Sequence, residues 1–414
     1  MLMADAAGAR SPGRLWILTW LLTRTALLLC VFKAVTVPGP DVTLDVSVIY
    51  QGWYEVLRAG TYPLDDVTWQ YPPGAALAIG SPALLPFLPY PAAFFVLALL
   101  CDLLVLCMLR YAERHGGGRA RWTWIVGLPL LGPTVYARYD VMVTAVAVAA
   151  LLAGARRPRV LGALAGLGAL LKVWPLLLLV GTARGLTTRR SWTAAAAVAG
   201  GLTLLLCAAM PGGLAFLTFQ RDRGTEVESL GALVFHVARH FGWPGEVVLS
   251  YGSVEFSGPY VPLAGSVALG LSVVSFLWLA VWRLRARGAG PGTVCDAAFA
   301  AVLLFTVTSR VISPQYLVWL VGLAAVCLVH AESPMVRPAR LVLAASAVTV
   351  LEFPVWFGHV VASDALGVLL LVLRNGLLVA AALIACARLW RRTVPGPPQA
   401  VSPAARADSP ATAR

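Results

Sequence analysis

Runs of about twenty apolar residues recur along almost the whole chain, and they constrain its fold more than any other feature. A soluble domain cannot cover so many long apolar segments, whereas a run of this length is what a helix needs to cross a bilayer. Of the 414 residues, 59% are hydrophobic and 12% are charged, and the mean hydropathy is +0.80. The sequence therefore predicts an all-α, polytopic membrane protein.

Short basic clusters between the apolar runs orient the predicted spans. Lysine and arginine are enriched in cytoplasmic loops, so the clusters at 110–121, 156–159, 184–190 and 283–287 are placed inside. This rule also explains the net charge of +13 without a nucleic-acid partner. Tracing the chain between the clusters predicts about twelve transmembrane helices, including short broken hairpins. Both termini are then cytoplasmic, and the protein lies in the plasma membrane.

The predicted domain organisation is simple. Residues 1–392 form one membrane-embedded domain, and residues 393–414 form a disordered cytoplasmic tail rich in proline, alanine and arginine. Two large segments, about 38–90 and 211–261, lie outside the cytoplasm and carry most of the acids. The seven cysteines lie in or beside apolar runs without a CxxC pair. They are interpreted as small core residues, and neither a metal site nor a cofactor is expected.

The first outer segment contains an acidic and aromatic stretch, PDVTLDVSVIYQGWYEVLRAGTYPLDDVTWQYPP (Pro40–Pro73). Apolar and aromatic residues recur at helical spacing between Ser47 and Leu57, which predicts a short helix along the membrane surface. Asp45 is expected just before that helix, where the positive helix end favours an ionised carboxylate. A loop aspartate is usually a solvated group or a helix cap, so Asp45 alone is weak evidence for an active site.

Two breaks in the apolar segments carry cations. The stretch 160–183 is too short for two full spans and has the wrong parity for one, which predicts two short helices that meet near Lys172. A second break surrounds Arg310. An embedded ionisable group is costly unless it is paired or hydrated, so both cations are expected to line a cavity and to hold an anion such as a lipid phosphate. For Arg24 and Arg374, pairing with helix-end carbonyls or snorkelling to the interface is an equally open explanation.

The order of several short motifs is more specific than any one of them. A dense charged group in the second outer segment would by itself indicate only a salt-bridged loop. The motifs are Asp45, Tyr71-Pro72-Pro73, Arg138-Tyr139-Asp140, Lys172 with Pro175, Arg223-Gly224 with Glu228-Ser229, and Ser313-Pro314. Together they resemble glycosyltransferase family 87, polyprenol-phosphate-mannose-dependent α-mannosyltransferases with the C-type membrane fold. The resemblance covers the chain from about Arg14 to Arg392.

The resemblance implies a role for each matching residue. Asp45 would be the general base that deprotonates the acceptor hydroxyl. The matching charged residues that would hold the donor phosphate and sugar are Arg138, Asp140, Lys172, Arg223 and Glu228. Arg310 at the second break and Arg221 in the charged group of the second outer segment are further candidates for the same role. Further cavity or acceptor candidates are Tyr50, Tyr71, Ser229, Gln315 and Tyr316. Some members of the family carry a histidine pair where this chain has Gln315 and Tyr316, so the role of that histidine does not carry over.

The implied chemistry needs few groups. A lipid phosphate is already a good leaving group, so one base at the acceptor and cations at the phosphate suffice. The expected activity is transfer of a hexose, with mannose as the expected sugar, from a polyprenyl-phosphate carrier to a lipid-linked or glycan acceptor of a bacterial cell envelope. Single displacement outside the cytoplasm would invert the anomeric centre. The lipid-linked sugar is a co-substrate rather than a cofactor.

Two other classes of protein fit part of the pattern. A transporter or flippase of a lipid-linked or anionic substrate would also have broken helices with embedded charges. The large aromatic and acidic outer segments favour an enzyme over a transporter. If the protein were a noncatalytic assembly factor, Asp45 would have no assigned function.

Overall fold

Helices account for most of the regular structure, as the sequence predicts. The computed structural model describes residues 14–113, 117–154, 156–221, 224–288, 290 and 292–395. Its α-helices are α1 (Leu15–Val31), α2 (Gln51–Arg58), α3 (Ala75–Gly80), α4 (Tyr90–Ala112), α5 (Arg119–Gly127), α6 (Asp140–Gly154), α7 (Pro158–Leu171), α8 (Leu186–Ala209), α9 (Phe216–Arg221), α10 (Leu233–Arg239), α11 (Val261–Arg285), α12 (Thr293–Thr308), α13 (Tyr316–Cys327), α14 (Val336–Val350), α15 (Phe357–Ala362) and α16 (Ala365–Thr393). Short 3-10 or π-helical turns cover Asp45–Tyr50, Ser81–Leu84, Pro129–Val135, Trp174–Leu179 and Leu351–Val355.

A small antiparallel sheet lies in residues 211–261, which the sequence predicts to be outside the cytoplasm and which are called the second outer segment, where the sequence analysis did not anticipate strands. Its strands β1 (Thr225–Glu226), β2 (Glu246–Ser250) and β3 (Ser253–Ser257) pair in the order β1-β3-β2. Strands of two and five residues are too short to give a clear alternation of apolar and polar residues. The register sets Glu226 opposite Glu255, which fixes the backbone leading to Glu228.

The prediction of about twelve spans is not confirmed. Within the described ranges, five helices are long and apolar enough to cross a membrane: α4, α8, α11, α14 with its continuation to Val355, and α16. The turn Pro129–Val135 together with α6 is a sixth candidate, bent by 119°. Other apolar segments, including α1, α7, α12 and α13, have 17 residues or fewer. At 1.5 Å per residue, a helix of that length covers about 25 Å of a hydrocarbon core that is roughly 30 Å thick.

Both predicted helix breaks are present. Helix α7 ends immediately before Lys172, which is extended (φ −152°, ψ 142°), and a 3-10 helix starts two residues later. Residues 309–315 likewise separate α12 from α13. Proline lacks an N–H and disfavours helical geometry in the preceding residue, so Pro175 and Pro314 help to keep these breaks open. Lys172 and residues 309–315 therefore lie between helices, where they can line a cavity.

The helix predicted between Ser47 and Leu57 is present, with one correction at its start. A π-helical turn begins at Asp45 and runs without interruption into α2, which ends at Arg58. Asp45 is therefore the first residue of the helix, whereas the sequence analysis placed it just before. The helix begins two residues earlier and ends one residue later than the predicted span from Ser47 to Leu57.

Two glycines that flank the Pro40–Pro73 stretch hold it close to neighbouring helices. Gly39 has a positive φ of 97°, and a Cβ atom there would lie 1.8 Å from the carbonyl oxygen of Pro354. At Gly74, a Cβ atom would lie 2.6 Å from the Cβ of Leu170. Only glycine allows both close approaches. The segment that carries Asp45 is thereby packed against the turn before α15 and the end of α7.

A buried ion pair links α1, α4 and α5. Arg24 donates from Nε and Nη2 to the two carboxylate oxygens of Asp102, at 2.8 and 3.1 Å. The same carboxylate accepts hydrogen bonds from Trp124 Nε1 at 2.7 Å and Tyr136 Oη at 2.6 Å. Arg24 also donates to the Ile125 carbonyl at 2.6 Å. The carbonyl pairing considered for Arg24 is therefore present, but its main partner is an acid that the sequence analysis did not consider.

Removing the cation of this pair should strongly destabilise the fold. We expect Arg24→Met to lower the free energy of unfolding by about 3–5 kcal/mol, because Asp102 keeps a buried charge without its counterion. The matched control is Lys33→Met, which breaks an exposed pair with Asp41 at 2.7 Å and should cost less than about 1 kcal/mol. Unfolding in mixed detergent micelles measures both variants. Equal effects would contradict this account of the buried pair.

Candidate active site

A cavity of about 670 Å³ lies between the first outer segment, the two helix breaks and the small sheet. Its volume falls in the range of about 300–1,000 Å³ that is usual for small-ligand sites. Residues from stretches far apart in the sequence meet there. The predicted site residues that line it are Asp45, Tyr50, Tyr71, Arg138, Lys172, Glu228, Arg310, Gln315 and Tyr316.

Asp45 is held in place by Arg138. Asp45 Oδ2 lies 2.6 Å from Arg138 Nη2, and the Asp45 side chain remains 31% exposed. Arg138 also donates from Nη1 to the carbonyls of Val42 and Ala137, at 3.1 and 2.8 Å. These bonds fix the guanidinium between the first outer segment and the start of α6. The result is an oriented carboxylate that a molecule in the cavity can reach.

Lys172 lies in an aromatic cage backed by an acid. Its Nζ is 2.7 Å from Asp140 Oδ1, which also accepts a hydrogen bond from Trp319 Nε1 at 2.6 Å. The cage rings, at 4.9–5.8 Å from Nζ, belong to Tyr71, Tyr139, Tyr316 and Trp319. The faces of these rings favour a nearby cation. Asp140 is fully buried and lies behind Lys172, so it positions the ammonium group instead of lining the cavity.

Three aromatic rings form a stack along one wall of the cavity. Trp319 stacks on Tyr316 with a centroid distance of 4.1 Å and on Trp174 with a centroid distance of 5.2 Å. All three residues line the cavity. The indole N–H of Trp174 is buried and has no hydrogen-bond partner among the described residues. Trp174 and Trp319 are both only 2% exposed, so the half-buried ring of Tyr316 presents most of the accessible aromatic surface of this wall.

The sheet and the second break are joined next to the cavity. Ser313 Oγ donates to Glu226 Oε1 at 2.9 Å, and the Glu226 N–H donates to the Arg310 carbonyl at 3.0 Å. Glu226, Arg310 and Ser313 all line the cavity. The carboxylate of Glu226 and the hydroxyl of Ser313 are thus fixed together, and the Glu226 backbone is joined to that of Arg310.

A buried network of charges surrounds Glu228. Arg374 donates to Glu352 through Nε at 2.8 Å and Nη2 at 2.6 Å, and its Nη2 lies 3.8 Å from Glu228 Oε1. Burial raises the pKa of the Glu228 carboxyl well above its ordinary value of 4.5, and the nearby carboxylates of Glu352 and Glu226 raise it further. The Arg374 charge lowers that pKa, but not enough to reverse the shift. The geometry favours a protonated Glu228.

Not every predicted residue lies at the cavity. The Ser229 side chain is buried and accepts the N–H of Ala232 at 3.2 Å. Arg221 ends α9, and the position of its side chain is not described. Arg223 lies outside the described residues. Within those residues, no group of three or more His, Cys, Asp or Glu side chains is arranged to hold a metal ion.

Sequence reasoning missed several side chains at or behind the cavity wall. Trp174 and Trp319 occur in apolar runs, where aromatic residues normally indicate core packing. Glu352 could have been identified from the sequence, because an acid inside an apolar run requires a partner. Pairing it with the embedded Arg374 would have predicted their ion pair.

A second, apolar groove adjoins the polar cavity. It has a volume of about 520 Å³, lies between α10, α11 and the end of α12, and has a nearly all-apolar lining. Ser309 lines both the groove and the polar cavity. The adjacent helix α11 exposes most of its surface. An amphiphile could therefore place its polar part in the polar cavity and its apolar part in the apolar groove.

These features define the class as an all-α membrane protein with a polar and aromatic cavity next to an apolar groove. The model of glycosyltransferase family 87 matches residues 69–314, and the chain belongs to that family. Membership implies glycosyltransferase activity and does not favour a transporter. The matched region includes Arg138, Lys172, Glu228 and Arg310, whereas Asp45 precedes it. No curated protein and no solved structure matches the chain.

Proposed function

We propose that the protein transfers a hexose, mannose in the first instance, from a polyprenyl-phosphate donor to a lipid-linked or glycan acceptor. The reaction is an inverting single displacement in the polar cavity. The cavity opens away from the cytoplasm in a bacterial plasma membrane, and both termini are cytoplasmic. The observation that carries the proposal is the meeting of Asp45, Lys172 and Arg310 around one cavity that adjoins an apolar groove.

The role of general base belongs to Asp45. It lines the cavity, is partly exposed and is oriented by Arg138 at 2.6 Å. A base must lie within hydrogen-bond reach of the proton that it abstracts, and Asp45 can contact an acceptor hydroxyl from this position. Tyr50 and Tyr71 line the same region and bound the space for that acceptor.

The donor phosphate is assigned to the cationic part of the cavity. Lys172 reaches the cavity from the first break and Arg310 from the second. Fixed cations stabilise the negative charge that develops on a leaving phosphate, and they do so most effectively in a site with little water. The prenyl chain then extends past Ser309 into the apolar groove. Each methylene buried there contributes about 0.8 kcal/mol to the free energy of binding.

The aromatic wall suits a sugar. One face of a pyranose ring presents C–H groups, which pack on aromatic faces, while its hydroxyls need hydrogen-bond partners. The Tyr316 ring supplies the aromatic surface, and Trp319 and Trp174 stacked behind it hold that ring in place. Gln315 lies beside the stack and offers an amide to the same ring.

The bonds change as follows. The acceptor oxygen forms a bond to the anomeric carbon of the donor as its proton moves to Asp45. The bond between that carbon and the phosphate oxygen breaks, and its electron pair stays on the phosphate. The products are the glycoside and polyprenyl phosphate. Attack from the face opposite the phosphate converts a β-linked donor into an α-linked product.

The donor class is tested in membranes that contain the overproduced protein and endogenous acceptors. Radiolabelled polyprenyl-phosphate-mannose is compared with polyprenyl-phosphate-glucose and with GDP-mannose, while the synthesis of polyprenyl-phosphate-mannose from GDP-mannose is blocked. We expect label in lipid or glycan products from a lipid-phosphate donor only. Transfer from polyprenyl-phosphate-glucose but not from polyprenyl-phosphate-mannose would change only the identity of the proposed sugar. Transfer from GDP-mannose under the block, with none from either lipid donor, would overturn the proposal.

A further inference from the structure

The tip of the β2–β3 hairpin lies on the first outer segment, which is far away in the sequence. The two strands are joined by Tyr251 and Gly252, which both have positive φ, 48° and 74°, as in a type I′ hairpin turn. The side chain of Gln70 donates from Nε2 to the Tyr251 carbonyl at 3.0 Å. A Cβ atom on Gly252 would lie 3.4 Å from the Cβ of Thr68. We call this contact, formed by Thr68, Gln70, Tyr251 and Gly252, the hairpin clasp.

On one side, the hairpin clasp is joined to the helix that carries Asp45. The N–H and the hydroxyl of Thr68 both donate to Asp66 Oδ1, at 2.9 and 2.6 Å. The other carboxylate oxygen of Asp66 accepts the indole N–H of Trp53 at 2.7 Å. Trp53 lies in α2, which continues the helix that begins at Asp45. The residues that hold the hairpin tip are therefore fixed to the helix of the candidate base.

On the other side, the hairpin is joined to the second helix break. Glu255 of β3 lies opposite Glu226 of β1. The Glu226 N–H donates to the Arg310 carbonyl at 3.0 Å, and its carboxylate accepts the Ser313 hydroxyl at 2.9 Å. The hairpin residues that line the cavity are Leu249, Tyr251, Gly252, Ser253 and Val254. The hairpin thus connects the wall that carries Arg310 to the segment that carries Asp45.

The separation of these two walls matters for the proposed reaction. Asp45 must reach the acceptor proton while Lys172 and Arg310 hold the donor phosphate on the other side. The attacking oxygen and the anomeric carbon must then lie about 3–3.5 Å apart, and a misplacement of about 1 Å can lower the rate about 100-fold. A contact that fixes one wall relative to the other therefore controls the rate without touching the reacting atoms.

We propose that Gln70 is a positioning residue, which closes the hairpin clasp and thereby sets the place of Asp45 relative to the donor site. This inference rests on the proposed function for the roles of Asp45 and Arg310. Gln70 is buried and also lines the cavity, so the experiment must distinguish positioning from direct contact with a substrate.

The first test replaces the amide that closes the clasp. Gln70→Leu keeps a side chain of similar size but cannot donate to the Tyr251 carbonyl. We expect kcat for transfer from polyprenyl-phosphate-mannose to fall by about 10–100-fold, with little change in the donor KM, because Lys172 and Arg310 stay in place. Gln51→Leu is the matched control and should keep the wild-type kcat, since Gln51 lies in α2, is partly exposed and does not line the cavity.

A disulfide can replace the lost hydrogen bond. The Cβ atoms at Thr68 and Gly252 would be 3.4 Å apart, close to the range of about 3.5–4.5 Å found in disulfides. In Gln70→Leu with Thr68→Cys and Gly252→Cys, oxidation should restore most of the lost kcat, and a reductant should remove it again. Each single cysteine in the Gln70→Leu chain controls for the seven native cysteines and should show no recovery. If the disulfide forms and kcat stays low, Gln70 acts on a substrate and the positioning role is wrong.

A measurement without substrate keeps this inference separate from the proposed function. Hydrogen–deuterium exchange of the purified full chain in lipid nanodiscs is followed in residues 45–58 and 246–257. Gln70→Leu should raise exchange in both segments, and the disulfide should lower it again in both. If the wild type transfers no sugar but both segments respond, the proposed reaction is wrong and the link between them stands. Exchange that rises in the hairpin alone, a cysteine pair that does not oxidise, or a wild-type kcat in Gln70→Leu would overturn the inference.

Discussion

We expect Asp45→Asn to lower the rate of sugar transfer by about 10²–10⁴-fold, the usual contribution of a general base. Asparagine has nearly the same shape but cannot accept the acceptor proton. The Arg138 guanidinium that now contacts Asp45 at 2.6 Å can still meet the amide oxygen. Binding of the donor should therefore change much less than kcat. The measurement is initial transfer rate at saturating donor and equal amounts of folded protein.

The control for this variant is in the same outer segment. Asp65 is exposed and does not line the cavity, so Asp65→Asn should transfer sugar at the wild-type rate. Full activity in Asp45→Asn would show that another group accepts the proton. A matching loss in Asp65→Asn would show that the segment is sensitive to any loss of charge, and the role of base would then have no support.

The second large effect is expected at Lys172. Lys172→Met removes the cation assigned to the donor phosphate and should lower kcat/KM for the donor by about 10²–10³-fold, comparable with the loss of one group that stabilises developing charge. It should also destabilise the fold by about 3–5 kcal/mol, because Asp140 would remain buried without its cation. Transfer kinetics and unfolding in mixed micelles measure the two effects separately.

A double variant separates function from stability. Lys172→Met with Asp140→Asn has no uncompensated buried charge, and the amide can still accept the Trp319 N–H that now lies 2.6 Å from Asp140. We expect it to recover most of the lost stability and none of the lost donor affinity. Recovery of transfer along with stability would mean that Lys172 only supports the fold and that other cations hold the phosphate.

The sequence predicted the helical membrane fold and both breaks for clear physical reasons. The run 160–183 is too short for two spans and contains a lysine and a proline, so a break near Lys172 was the simplest solution. The surface helix followed from apolar periodicity alone. The number of transmembrane spans could not be predicted from the sequence, because an apolar run that contains a break has the same composition as a run that crosses the bilayer.

Two residues of the cavity were predictable because each is a cation at a break between apolar helices. Lys172 and Arg310 lie at helix breaks, and both line the cavity. The partners of embedded charges were harder to predict, since Asp102 is 78 residues from Arg24 and Glu352 is 22 from Arg374. Pairing over such separations depends on how helices pack. The sheet around Glu226 and the position of Asp140 behind Lys172 depend on tertiary packing in the same way.

The central claim is tested most directly by the fate of the donor in a defined system. Purified protein is reconstituted into liposomes with polyprenyl-phosphate-mannose labelled in both sugar and lipid, and a membrane lipid and glycan extract supplies the acceptor. We predict release of one polyprenyl phosphate for each sugar transferred, with neither event in Asp45→Asn. Movement of intact donor across the bilayer without cleavage, in the presence of an extract that supports transfer in native membranes, would contradict the account.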